Sequence, residues 1–272
     1  MPSKLYNTVF GRCLLKILTT PAISKMAGAF KKSTLSKPYI KHFIKCNKID
    51  LTEYKIENWQ CFNEFFTREL KSGKRVIDKN ENSFISPCDS YLSIYKISEN
   101  STFEIKDSVY TIEELVNDKS IQNEYEGGLC LVFRLTPSDY HRYIYPDSGC
   151  KGKNYFIKGI LHTVRPVAFN RYKVFKTNSR EYTILKTNNF DDIVFIEVGA
   201  MLVGKIKNYH QEHNFKRGEE KGKFEFGGST ICMIVKKDIV EIEPRIIQAL
   251  ETQSEFKVKL GEKIGKKYNK YL

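Results

Sequence analysis

The sequence predicts an α+β fold in which basic amphipathic N-terminal helices sit on a predominantly antiparallel, β-rich body. Two textures along the chain lead there. Residues 1–49 carry ten Lys or Arg and no acid, with apolar residues recurring at helical spacing. Beyond about residue 80, short runs rich in Ile, Val, Phe, Tyr and Thr alternate with glycine or polar clusters, the pattern of strands and turns. With 272 residues, 41% hydrophobic and 28% charged, the chain has enough apolar material for a sizeable core and too much for a disordered protein.

From the N-terminus, Leu5, Val9, Cys13, Leu14, Ile17 and Leu18 share one face of a helix, with Lys4, Arg12 and Lys16 largely elsewhere. Thr20 and Pro21 then open a second helix, with Ile23, Met26, Ala27 and Phe30 on one side. These stripes either pack on the body or lie on a bilayer with lysines at the headgroups. Residues 58–71, NWQCFNEFFTRELK, read as a further helix with Phe62, Phe65, Phe66 and Leu70 inward. Strands are expected within 83–97, 102–110, 129–135, 155–164, 181–187, 193–206 and 223–236, with helices inserted near 111–125 and 244–253. The division is a helical region 1–50 and a β-rich body 51–272.

Composition also excludes. No window approaches the roughly 18 uninterrupted apolar residues of a spanning helix. Lys16 and Lys25 interrupt the early apolar patch, and no small-residue cleavage site follows it, so a cytoplasmic protein is expected. Seven cysteines, odd in number and without a C-x-x-C pair, suggest neither a disulfide framework nor a cysteine metal site. The net charge of +13 is mostly an N-terminal feature and would suit a polyanion or an anionic lipid surface. Phosphate-loop, dinucleotide, serine-elbow and H-E-x-x-H motifs are absent. His210 and His213 are three apart, but without a third ligand nearby they read as surface histidines, and no metal is expected.

What remains are polar residues set in core-like segments. SPCDS places Asp89 between two strands, where a turn aspartate is the simplest reading. RLTPSDYHRY brings Arg134, Asp139, Tyr140, His141 and Arg142 to the end of a strand, a density hard to assign to a turn alone. GILHTVRP embeds His162 in an apolar run, and FEFGGSTI interrupts a strand with Gly227, Gly228 and Ser229.

In this order, together with FNEFFTRELKSGKR (62–75), FKTNSREY (175–182), VGAMLVGKI (198–206) and KGKFEFGGST (221–230), the segments resemble the phosphatidylserine decarboxylase family over about 170 residues. The resemblance implies a proenzyme that cuts itself at Gly228–Ser229 into a β chain 1–228 and an α chain 229–272. Ser229 attacks the preceding carbonyl in an N-to-O acyl shift, and elimination and loss of ammonia then leave a pyruvoyl group at 229. Glycine at 228 leaves the carbonyl unobstructed. A serine hydroxyl needs a base, itself oriented by a third group. Asp89 matches the family's orienting aspartate, and His141 the first histidine of D-Y-H-R-x-H; the second is Ile144 here, so the base is His141 or His162. The implied reaction forms a Schiff base between pyruvoyl and phosphatidylserine, releases CO2 and yields phosphatidylethanolamine, with His141 as proton donor and no metal. Gly228, Thr230 and nearby backbone amides would hold the site, and Arg142 and Arg134 are the substrate-binding candidates on charge alone.

The partners implied are phosphatidylserine, an anionic membrane held by the basic helices and by the six lysines of 257–272, the two chains of one precursor, and in some assemblies a second copy. That makes a peripheral membrane protein on the cytoplasmic side. The competing readings are an uncleaved, inactive relative serving as a basic membrane-binding module, a pyruvoyl decarboxylase of a soluble amino acid, and a nucleic-acid-binding module. The last is disfavoured because KGKFEFGG lacks the aromatic pattern of an RNA-binding strand.

Overall fold

The computed structural model describes residues 8–98, 100–105, 108–163, 172–200, 205–225 and 229–269. The helices are α1 (Val9–Leu18), α2 (Pro21–Lys32), α3 (Lys37–Asn47), α4 (Phe62–Phe66), α5 (Ile112–Val116), α6 (Val174–Thr177) and α7 (Pro244–Thr252). The strands in the first half of the body are β1 (Ser83–Ile85), β2 (Ser90–Lys96), β3 (Thr102–Ile105), β4 (Ser108–Thr111), β5 (Leu129–Leu135), β6 (Arg142–Ile144), β7 (Gly149–Lys151) and β8 (Tyr155–Ile157). Those that follow are β9 (Arg180–Thr187), β10 (Asp192–Val198), β11 (Lys205–Asn208), β12 (His213–Phe215), β13 (Glu220–Glu225), β14 (Ser229–Val235), β15 (Val240–Ile242), β16 (Phe256–Val258) and β17 (Lys263–Lys267). The pairings among these strands are antiparallel, as an α+β fold requires.

The largest sheet has nine strands in the order β12-β7-β9-β10-β14-β5-β2-β16, with β8 also on β9. Its centre is β14, STICMIV, buried at all seven positions. A strand buried on both faces reads as a continuous apolar run rather than an alternation, which is why this segment is so apolar. A three-stranded sheet, β11-β13-β6, continues the large one at the place where β13 leads towards β14 and β5 leads towards β6. Another, β1-β17-β15, carries part of the C-terminal end.

The N-terminal helices follow the expected stripes. The Thr8 hydroxyl caps α1 by accepting from Gly11 N at 3.0 Å, and Pro21 opens α2. Residues 5–7 of the expected first helix lie outside the described residues. Leu15 is buried in the main core, and Ile40 and Phe43 of α3 pack with Phe62, Phe65 and Phe66 in a second aromatic cluster. The Ser36 hydroxyl joins them by accepting from Phe62 N at 2.9 Å. Phe10, Ile17, Met26, Phe30 and Leu35 remain exposed, so the stripes pack only in part.

Three expected elements are shorter in the structure. The helix read over 58–71 is five residues long, because its second half turns into an isolated bridge of Leu70 with Tyr54, flanked by Lys55 N to Glu69 O and Lys71 N to Glu53 O. The helix near 111–125 opens with a capping box at Thr111 and Glu114 but stops at Asn117, which is left-handed at φ 56°, before a 3-10 turn at Asn123–Tyr125. The strand read over 155–164 ends at Ile157, since Gly159 and Ile160 turn to bond the segment around Ser179.

Candidate active site

Two hairpin-like crossings meet at one place. β5 and β14 pair from Leu135–Ser229 to Leu129–Val235, and β6 and β13 pair through Arg142–Lys223 and Tyr143–Gly222. Between β5 and β6 the chain makes the turn Thr136–Asp139 and then passes Tyr140 and His141. His141 O accepts from Phe224 N at 2.9 Å, which fixes the backbone of the histidine against β13. Strand register sets Ser229 opposite Leu135, and the turn that follows β5 returns His141 beside it.

The contact is direct. Ser229 Oγ lies 3.3 Å from His141 Nδ1, and both residues are fully buried. The other ring nitrogen, Nε2, lies 2.9 Å from Thr136 O. A backbone carbonyl can only accept, so Nε2 carries the proton and Nδ1 presents a lone pair to the serine hydroxyl. The ring lies on Phe66, with centroids 4.1 Å apart. Burial, followed by the nearby Arg68 charge, pulls His141 down to about 3, so the imidazole is neutral at pH 7.

The turn that offers this carbonyl is closed by Asp139, whose Oδ2 accepts from Thr136 N at 2.6 Å and from Thr136 Oγ1 at 2.8 Å. Its Oδ1 meets the Lys257 ammonium. Arg68, buried and stacked over Tyr54 at 4.1 Å, donates to Ser138 O at 3.1 Å and Asp139 O at 3.4 Å. Sequence reasoning picked out Asp139 as part of a polar cluster; it missed Thr136, Arg68 and Phe66 as the surroundings of His141. A backbone acceptor leaves no mark in a sequence.

Asp89 is placed otherwise than the triad pattern implies. Its carboxylate receives Arg75 Nε at 2.8 Å, Arg75 Nη2 at 2.5 Å and Leu260 N at 2.9 Å. The acceptor on His141 is thus Thr136 O, while Asp89 joins the 75, 89 and 260 segments. Ile144, where many relatives have a second histidine, is buried in the aromatic cluster with Phe66, and its N–H donates to Pro87 O at 2.9 Å.

His162 is held nearby by Asn178, which is fully buried. Asn178 Oδ1 accepts from His162 N at 3.0 Å, and Nδ2 donates to His162 O at 2.9 Å and to Gly199 O at 2.7 Å. Gly199 follows Val198, which pairs with Thr230. The imidazole stacks on Tyr172 at 4.0 Å, and burial pulls it down to about 4. A cleft of about 190 Å³ lined in part by Leu161, Ser179, Gly199 and Lys205 opens at this strand end. Gly228 lies outside the described residues. The Thr230 hydroxyl, one residue beyond the serine, is buried without a hydrogen-bond partner among the described residues.

Both arginine candidates are taken up by acids. Arg134 makes a two-point pair with Glu255, at 2.8 and 2.5 Å. Arg142 pairs with Glu220 at 3.0 Å and Glu69 at 3.2 Å, and donates to Thr67 O at 2.8 Å.

A buried ion pair, which the sequence did not flag, ties the two sheets together. Glu197 on β10 and Lys221 on β13 are both fully buried and in contact, and Lys221 Nζ also donates to Asn208 Oδ1 at 2.6 Å. Burial pushes the Glu197 carboxyl up and Lys221 opposes it, while Glu197 Oε2 has no hydrogen-bond partner among the described residues.

A family model described as phosphatidylserine decarboxylase matches residues 62–266, most of the chain and all the site residues above. The chain belongs to the phosphatidylserine decarboxylase family. It is 46% identical over 262 residues to phosphatidylserine decarboxylase proenzyme 2 of Clostridium acetobutylicum, covering 96% of this chain and 90% of that one. It is 40% identical over 268 residues to the phosphatidylserine decarboxylase proenzyme of Clostridium perfringens, covering 96% and 91%. To the proenzyme of Fusobacterium nucleatum it is 39% identical over 271 residues, covering 97% and 90%. The order of motifs from Phe62 to Thr230 thus identified the family correctly.

Proposed function

We propose that this chain is a proenzyme that cleaves itself at Gly228–Ser229 and, once matured, decarboxylates phosphatidylserine to phosphatidylethanolamine and CO2. The observation that carries the reading is the Ser229 Oγ to His141 Nδ1 contact of 3.3 Å, with Nε2–H held on Thr136 O. His141 takes the serine proton at Nδ1, and Oγ attacks the Gly228 carbonyl carbon. The peptide C–N bond breaks as the ester C–O bond forms, and the freed amine takes the proton. Loss of the Ser229 α-proton then breaks the Cβ–Oγ bond and releases the Gly228 carboxylate. The dehydroalanine left at 229 hydrolyses to pyruvoyl and ammonia.

The residues around 229 suit that group. The position is fully buried, is flanked by neutral His141, and has beside it the Thr230 hydroxyl, which has no hydrogen-bond partner among the described residues. A pyruvoyl group supplies an electrophilic carbonyl for the substrate amine and an electron sink for the departing CO2. His141, with one proton on Nε2 and a free lone pair on Nδ1, accepts and returns protons at the reacting carbon. His162, held by Asn178 at the adjoining strand end, is the second base candidate.

The two chains remain joined after cleavage, because β14 of the α chain lies between β10 and β5 of the β chain. The exposed Phe10, Ile17, Met26 and Phe30, beside Lys16, Lys25, Lys31 and Lys32, support a peripheral position on an anionic bilayer. No helix among the described residues is long and apolar enough to cross a membrane. The test is release of labelled CO2 from carboxyl-labelled phosphatidylserine in mixed micelles. Wild type should release it and Ser229→Ala should not; release from free serine but not from the lipid would favour a soluble-substrate enzyme.

A further inference from the structure

The third ligand that the spacing of His210 and His213 does not supply is present in the fold. β11 ends at Asn208, the chain turns through His210, β12 begins at His213, and the next turn brings Glu219 back beneath both rings. His213 Nε2 lies 2.7 Å from Glu219 Oε1, and His210 Nε2 lies 3.9 Å from the same oxygen. One donor atom from each of the three residues lies within 4.8 Å of the others. Tetrahedral zinc, with bonds of about 2.0–2.2 Å to nitrogen and oxygen, holds neighbouring donors ~3.4 Å apart. The two separations, 2.7 and 3.9 Å, lie on either side of that value, and the two imidazoles, now stacked with centroids 3.8 Å apart and planes 10° from parallel, turn about their side-chain bonds to aim both Nε2 lone pairs at one ion.

The outward atoms are already oriented. Tyr145 Oη lies 3.3 Å from His210 Nδ1, which leaves Nε2 for a ligand, and Glu219 Oε2 accepts from Lys216 N at 2.9 Å. Hydrogen bonds of this kind fix the tautomer of a metal-binding histidine and the rotamer of a carboxylate. Lys151 sits under the loop with its ammonium on the carbonyls of His210 and Gln211, so it holds the loop backbone rather than competing for Glu219. The three side chains are 28%, 28% and 32% exposed, enough for an ion to enter and for water to take a fourth position.

We propose that His210, His213 and Glu219 bind one divalent transition-metal ion, zinc foremost, as a structural clasp. The site lies at the end of β13 opposite the one that leads to Ser229, separated from it by about 20 Å of extended strand. Its effect is on the stability of the β11–β13 region and not on the chemistry at Ser229.

The experiment uses the full chain purified without a histidine tag and stripped with EDTA. Zinc alone is titrated in competition with a chromophoric chelator, and the melting temperature is read with and without zinc. Wild type should bind one equivalent that His213→Ala and Glu219→Gln each weaken at least about tenfold, with Tyr145→Phe weakened less. The melting temperature of wild type, but not of those two variants, should rise with zinc. Glu219→Gln keeps the side chain's shape, so its loss of zinc would not reflect misfolding. Folded wild type that takes up no zinc equivalent, or variants that keep it at undiminished affinity, would overturn the proposal.

Discussion

Replacing Asp139 with Ala tests whether the turn beside His141 sets the base. The carboxylate closes the turn through Thr136 N at 2.6 Å and Thr136 Oγ1 at 2.8 Å. Hydrogen bonds to a charged acceptor contribute about 1.5–3 kcal/mol each. Thr136 Oγ1 keeps Ser138 Oγ at 3.0 Å as an alternative partner, so one bond is fully lost and the other partly replaced. The Lys257 contact adds little, since that ammonium is 44% exposed. A loss of about 3 kcal/mol falls on the closed turn, and at about 1.4 kcal/mol per tenfold it slows any step that needs Thr136 O on Nε2 by up to ~100-fold. The assay is a time course of chain separation after rapid synthesis of the precursor, with urea unfolding of Ser229→Ala and Ser229→Ala/Asp139→Ala beside it. Asp139→Asn, which keeps one acceptor, should fall between. Cleavage of Asp139→Ala at the wild-type rate, in a protein destabilised as stated, would refute the idea that this turn orients the histidine.

Other expectations follow from the same geometry. Lys221→Met leaves the Glu197 carboxylate buried without its partner and should cost about 3–5 kcal/mol in urea unfolding, most of it regained in Glu197→Leu/Lys221→Met; an equal loss in the double variant would contradict the pairing. His141 and His162 titrate near 3 and 4 when folded, against 6.5 when unfolded, so the unfolded chain binds more protons below pH 6.5. Stability should therefore be flat above about pH 7 and fall as pH drops towards 4, by up to ~1.4 kcal/mol per pH unit per histidine. In the Ser229→Ala background, His162→Gln should flatten that slope, and an unchanged slope would argue against a buried neutral His162. Phe10→Asp/Ile17→Asp should release the protein from anionic vesicles in sedimentation while leaving self-cleavage unchanged; retention on the vesicles would count against the helical anchor.

Much of the body was legible because its central strands β5, β10 and β14 are buried at nearly every position and are therefore largely apolar. Leu129–Leu135 appears in the structure with the expected bounds, and the 223–236 run is taken up by β13, ending at Glu225, and β14, beginning at Ser229, with 226–228 outside the described residues. The helix Lys37–Asn47 was readable but passed over: Pro38 sits in its first turn, and Ile40, Phe43 and Ile44 recur at three and four. The 58–71 helix was overextended because its phenylalanine spacing persists, whereas the bridge to Tyr54 that ends it is a contact between distant segments. At the site, Ser229 and His141 could be named because the chemistry needs a hydroxyl and a base. The partners of each candidate could not, because Arg75 for Asp89 and Glu255 for Arg134 come from segments distant in sequence and not from the local motif.

Intact mass measurement of freshly purified wild type beside Ser229→Ala reaches the central claim most directly. The account predicts two chains from wild type, 1–228 and 229–272, the second carrying an N-terminal pyruvoyl in place of serine, and one uncut chain from the variant. A single uncut chain from correctly folded wild type, or a cut at another bond, would contradict it.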